Sequence, residues 1–289
     1  MRLMRIGAPS AERPVVRLDE RSCLDVSDHV ADFDEEFFGR DGMAQLRDLV
    51  DRHARDGSGT VRPLGGERVG APIARPHQIW CIGLNYRDHA AESGQPVPAE
   101  PVVFTKAPNT IVGPDDDVRL PRGSSKTDWE VELGVVVGRR CRYLDGLDEA
   151  RAAIAGFVLV NDVSERAFQL ERGGQWVKGK SAETFGPMGP WLVTPDEIPE
   201  VGNLAMSLDV NGVRKQTGST KTMIFSIPFL LAYITQFMVL DPGDVVTTGT
   251  PPGVGSARNP REYLKAGDVM TLAIDGLGTQ RQTVVPFKM

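Results

Sequence analysis

Residues 129–138 read WEVELGVVVG. The stretch is crowded with valine and leucine, side chains that suit a pleated, half-buried surface. A strand's period of two puts Glu130 and Glu132 on one face, with their backbones roughly 7 Å apart. Val131, Leu133, Val135 and Val136 around them predict a largely buried strand. Two carboxylates on one face repel unless a cation or solvent lies between them. Taken alone, the pair fits a solvated strand face better than a site.

Outward from this stretch the same texture repeats. QIWCIGLNY (78–86), VVFTKA (102–107), VRLPR (118–122), GFVLVNDV (156–163), GPWLVT (189–194), LAMSLDVNGV (204–213), DVVTTGT (244–250) and DVMTLAID (268–275) all read as strands. Asn211-Gly212 marks a tight hairpin turn. YRDHAAESG (86–94) reads as a short helix ended by Gly94, and SIPFLLAYITQFMVL (226–240) as the main helix. Strands outnumber helices and do not alternate with them, which disfavours a doubly wound sheet and predicts a β-rich α+β fold. Residues 1–71 differ from the rest: short strands at 5–9, 14–20 and 23–29, one amphipathic helix over 43–57, then a Gly/Pro-rich run to Pro76. We therefore expect a small N-terminal α+β domain over 1–71 and a main domain over 72–289.

The chain has 289 residues, 40% hydrophobic and 25% charged, enough for a sizeable core without staples. Its net charge of −6 and the lack of basic blocks interleaved with aromatics argue against a nucleic-acid partner. Three scattered cysteines, Cys23, Cys81 and Cys141, read as reduced thiols rather than a disulfide frame or zinc site. The start carries no apolar leader, and the 224–240 run is short and broken by polar residues and Pro228. The expectation is a cytoplasmic protein without a membrane partner.

Asp162 ends a second apolar run, so with Glu130 and Glu132 it makes an oxygen-only set suited to Mg²⁺, Mn²⁺ or Ca²⁺. Asn161-Asp162 could equally be turn chemistry. His89 and Glu92, three apart on a helix, share a face, and a carboxylate beside an imidazole raises its basicity. An ordinary surface ion pair is the commoner meaning of such spacing. Lys180 lies in a glycine-rich loop where it could hold an oxyanion, although Lys178 is as good a candidate on bare sequence. TTGTPPGVG (247–255) predicts a tight loop around Thr250 whose exposed N–H groups could bind an anion. No phosphate loop, dinucleotide fingerprint or nucleophile elbow is present. From the residues alone, a Mg²⁺-type enzyme is as far as the reading reaches.

Seven segments in order, CIGLNYRDHAAE, PVVFTKAPNT, KTDWEVELGVVVG, VLVNDVSERAFQ, KGKSAETFGPMGPWLVT, VNG..KQTGST..MIFSI and LDPGDVVTTGTPPGVG, resemble the fumarylacetoacetate hydrolase family. The resemblance covers about Trp80 to Asp275 and implies a mixed β-roll sandwich, usually dimeric, with a small variable N-terminal domain. It implies Glu130, Glu132 and Asp162 as metal ligands. It also implies His89 and Glu92 as a water-activating dyad on a lid, and Lys180 as the active-site lysine. Lys106, Gln169 and Thr250 fall where relatives touch substrate oxygens. The implied reaction is hydrolysis of a C–C bond in a 2,4-diketo acid, releasing pyruvate. The whole chain is similar to bacterial members acting on 2,4-diketo-3-deoxy sugar acids such as the L-rhamnonate and L-fuconate derivatives. Leu84 departs from smaller acylpyruvate hydrolases, many of which carry Arg there. Oxaloacetate decarboxylation is the main rival within the family, with isomerisation, ureidoglycolate lyase or a catalytically silent member behind it.

Overall fold

The computed structural model describes residues 1–288. Val131–Val137 forms the predicted strand with every residue buried. Alternation splits its side chains between two cores. Leu133, Val135 and Val137 pack toward Met206, Leu208, Met270 and Leu272, while Val136 faces Leu3, Phe33 and Leu46. Both faces are therefore covered, which is why the run is apolar almost throughout.

This strand lies inside an 11-stranded mixed sheet. Neighbours run Thr60–Pro63, Ser22–Asp25, Arg13–Arg17, Arg2–Ile6, Leu192–Val193, Ile154–Asn161, Val131–Val137, Val245–Thr247, Ile79–Gly83 and Val102–Lys106, with Val69–Gly70 beside Arg2–Ile6. Val245–Thr247 pairs parallel with Ile79–Gly83, and the other neighbours are antiparallel. A five-stranded sheet, Val213–Ser219, Ala205–Val210, Val269–Ile274, Gly278–Val285 and Val118–Arg119, packs over one face. Neither sheet closes, helices are few, and the strand-rich α+β class is the one expected. Asn211 and Gly212 have φ of 53° and 75°, the positive pair a type I′ hairpin turn requires.

Two features were not legible in the sequence. The longest helix is Gly42–Asp56 (15 residues), while the expected main helix is only Ile227–Ile234. It stops because Thr235 is claimed from outside: its O accepts Tyr143 N–H, and its Oγ1 accepts Leu144 N–H. Leu240 is then drawn into a bridge with Cys141. Residues 1–71 also build no sheet of their own. Their strands join the large sheet through Arg2↔Val193 and Leu3↔Leu192. No helix among the described residues is long and apolar enough to cross a membrane.

Candidate active site

Sheet register assembles the carboxylates. Val131 lies opposite Asn161 and Glu132 opposite Val160. One step further, Asp162 N–H donates to Glu130 O at 2.9 Å. Asp162 is thus set across the ladder from Glu130, on the face that Glu130 and Glu132 share. Oxygens of all three lie within 4.8 Å of one another, and all three residues are buried.

Lys180 reaches this cluster from the short helix Val177–Lys180. Its Nζ donates to Glu130 Oε2 and Asp162 Oδ2, each at 2.7 Å. Gly179 permits the approach, since a Cβ there would meet Glu165 O and Gln169 N at 2.5 Å. Burial pushes the Lys180 pKa down, but Asp162 and Glu130 outweigh it and hold the ammonium protonated. Burial likewise pushes Glu130 up, yet Lys180 and Arg166 bring its pKa to about 2. Glu132 goes the other way. Burial, then the charges of Asp162 and Glu130, hold its carboxyl well above the usual range, and Gly249 N–H at 2.9 Å only partly opposes them.

Two residues that the sequence reading did not single out tie the cluster to its surroundings. Arg166 donates Nη2 to Glu130 Oε1 (2.6 Å), Nη1 to Gln169 Oε1 (3.0 Å) and Nε to Asp128 Oδ2 (2.9 Å). Asp128 also accepts Gly255 N–H at 2.7 Å and Ser256 N–H at 2.9 Å. The signal available was three acids at period two, Asp128, Glu130 and Glu132, facing a buried arginine that such a set demands.

The 247–255 loop spends its N–H groups on the protein's own carboxylates instead of leaving them for an external anion. Gly249 serves Glu132, Gly255 serves Asp128, and Gly253 N–H serves Glu92 at 2.9 and 3.1 Å. Gly253 has φ +108°, and a Cβ there would meet Lys215 O at 2.0 Å, so only glycine fits. Thr250 Oγ1 donates to Val131 O and accepts from Gln216 Nε2.

His89 and Glu92 stand on the helix Arg87–Glu92 with Nδ1···Oε2 at 3.4 Å. That is a loose contact of the kind that tightens when substrate binds. His89, Glu130, Glu132, Gln169, Lys180 and Thr250 all line one cavity of about 310 Å³. Lys106 is not brought to that cavity. Its Nζ is buried behind Asp162, donating to the carbonyls of Val163 (3.1 Å), Phe185 (2.9 Å) and Lys180. Asp162 Oδ1 lies 2.9 Å from the same ammonium yet takes no hydrogen bond. All three Lys106 hydrogens are engaged by main-chain oxygens, so none is left for a substrate.

The donor set fits a hard divalent cation. The ligand atoms are carboxylate oxygens alone. A cation among the three would also relieve the repulsion that raises Glu132.

Comparison with known proteins identifies the family. A Burkholderia multivorans protein, provisionally named a hydrolase, is 50% identical over 98% of either chain. The fumarylacetoacetate hydrolase of psychrophilic Exiguobacterium antarcticum is 30% identical with a TM-score of 0.84, over 99% of this chain and all of that one. A 5-carboxymethyl-2-hydroxymuconate delta-isomerase from Mycobacterium smegmatis is 30% identical with a TM-score of 0.78, over the whole of both chains. Residues 78–285 match the fumarylacetoacetate (FAA) hydrolase C-terminal domain. With that domain spanning most of its length, and with Glu130, Glu132, Lys180 and His89 lining one cavity, this chain belongs to the fumarylacetoacetate hydrolase family.

Proposed function

We propose that the protein is a metal-dependent hydrolase that splits the C3–C4 bond of a 2,4-diketo acid, giving pyruvate and a second acid. The observation that carries this reading is the buried triad with Lys180 between two of its members. Glu130, Glu132 and Asp162 would hold Mg²⁺ or a similar ion, which when bound supplies Lewis-acid polarisation of the substrate's oxygens. His89 takes a proton from water, and the oxygen adds to the C4 carbonyl. Glu92, itself anchored by Gly253 N–H, orients the imidazole through Nδ1. The C3–C4 bond then breaks with its electron pair on C3, as pyruvate's enolate. Lys180, held protonated, faces the charge that develops. Protonation at C3 completes pyruvate. Lys106 acts from behind by placing a positive charge against Asp162.

We put 2,4-diketo-3-deoxy-L-rhamnonate and -L-fuconate first among substrates, as the motif resemblance implies. Isomerisation, the activity in the name of the Mycobacterium smegmatis relative, needs the stabilised enolate without attacking water. His89 at the cavity, with Glu92 beside its Nδ1, favours hydrolysis. The test is pyruvate release, with Mg²⁺ and with excess chelator, from a 2,4-diketo-3-deoxy sugar acid, acetylpyruvate and oxaloacetate. Chelator-sensitive turnover of a diketo acid is expected. Turnover of oxaloacetate alone would make the protein a decarboxylase.

A further inference from the structure

The cavity has two unlike ends. At the triad end stand Lys180 and Arg166, and among the described residues lining the cavity these are its only lysine or arginine. Both are committed: Lys180 to Glu130 and Asp162, Arg166 to Asp128 and Glu130. The larger apolar side chains of the wall are Phe104, Trp176, Leu84 and Leu170. Its direction can be followed ring by ring. Lys180 Nζ lies 5.1 Å from the Phe104 centroid, and Phe104 meets Trp176 edge-on at 5.2 Å. Trp176 in turn closes over Gly83, where a Cβ would meet its ring at 2.7 Å. Besides His89, the cavity's remaining polar side chains, Ser93, Gln95, Gln169, Thr250 and Ser256, are neutral amides and hydroxyls.

We infer that the site selects monocarboxylic 2,4-diketo acids whose distal substituent is uncharged and presents apolar surface, and that it rejects substrates ending in a second carboxylate. The inference rests on the hydrolase reading and adds the chemistry of the substrate's far end. The metal and Lys180 would engage the 2-oxo acid head, leaving the tail against Phe104, Trp176 and Leu84. An alkyl tail there gains roughly 25 cal/mol per Å² removed from water. A carboxylate tail loses hydration there and meets no free lysine or arginine. The short deoxy tails of the L-rhamnonate and L-fuconate derivatives satisfy this rule.

The test is calorimetric binding to the full-length, Mg²⁺-supplemented protein of two 2-oxo acids of similar length, 2-oxoheptanoate and 2-oxoadipate. The first is expected to bind at least about tenfold more tightly, a difference of about 1.4 kcal/mol. Leu84→Arg, which sets a cation in this wall, should tighten 2-oxoadipate by about tenfold and close the gap. Equal or tighter binding of 2-oxoadipate to the wild type overturns the inference without needing any variant. Failure of both acids to bind also overturns it. In that event the pyruvate-release panel separates the cases: turnover there leaves the hydrolase reading standing, and silence removes it too.

Discussion

Of the three clustered carboxylates Glu132 has the fewest partners, a single N–H from Gly249, whereas Glu130 holds both Lys180 and Arg166. Removing a charge at the two positions should therefore act differently. Glu132→Gln is expected to keep or raise the melting temperature in chelator while abolishing its rise with Mg²⁺, because it deletes the carboxyl that burial and its neighbours already disfavour as an anion. Glu130→Gln leaves two buried cations short of a partner and should cost on the order of 3 kcal/mol in denaturant melts. Diketo-acid turnover should fall more than about a hundredfold in both and in Asp162→Asn, beyond what loss of a supporting contact around a metal typically does. Unchanged turnover in any of the three would remove that residue from the metal site. His89→Ala should lower hydrolysis by about 10²–10⁴-fold, the usual share of a general base, while oxaloacetate decarboxylation partly survives. Equal survival of both activities would end the dyad's role. His89 and Glu92 were legible at this scale because three-residue spacing on a helix fixes a shared face. Arg166 and Asp128 were not, since a charged residue shows its partners only once the chain has folded around it.

At the scale of elements, the helices and strands of residues 1–71 complete the core of the rest. Phe33, Phe37, Phe38 and Leu46 pack with Ile79, Val136, Val158 and Val160 in one cluster. Phe33 is fully buried and meets Phe37 edge-on at 5.0 Å. Phe33→Ala should thus cost about 3–5 kcal/mol in denaturant melts and leave kcat unaltered, since Phe33 packs against Val136 and does not line the cavity. A small loss would mean that the N-terminal residues ride loosely on the main sheet. Strand positions were readable from alternation and β-branched runs. The edge that joins Arg2–Ile6 to Leu192–Val193 was not, because pairing across some 190 residues leaves no periodic mark on either segment. The same limit applies to Ile227–Ile234. Its apolar sequence continues past Ile234, and hydrogen bonds from Tyr143 and Leu144 are what stop the helix.

For the whole molecule, the family resemblance implies a homodimer, and we propose that state. Light scattering should then return twice the 31.5 kDa chain mass, and a monomer at working concentration would set the proposal aside. The sequence by itself determined the strand-rich class, the hairpin at Asn211-Gly212, the acids that share a strand face and the histidine that shares a helix face with Glu92. These are local consequences of side-chain period and turn chemistry. Tertiary structure alone decided three things: that Asp162 lies across the ladder from Glu130, that Lys106 stands behind the site while Lys180 enters it, and that the 247–255 loop serves the protein's own carboxylates. Each depends on sheet register and on which buried charge finds which partner, and those are properties of segments far apart in the chain.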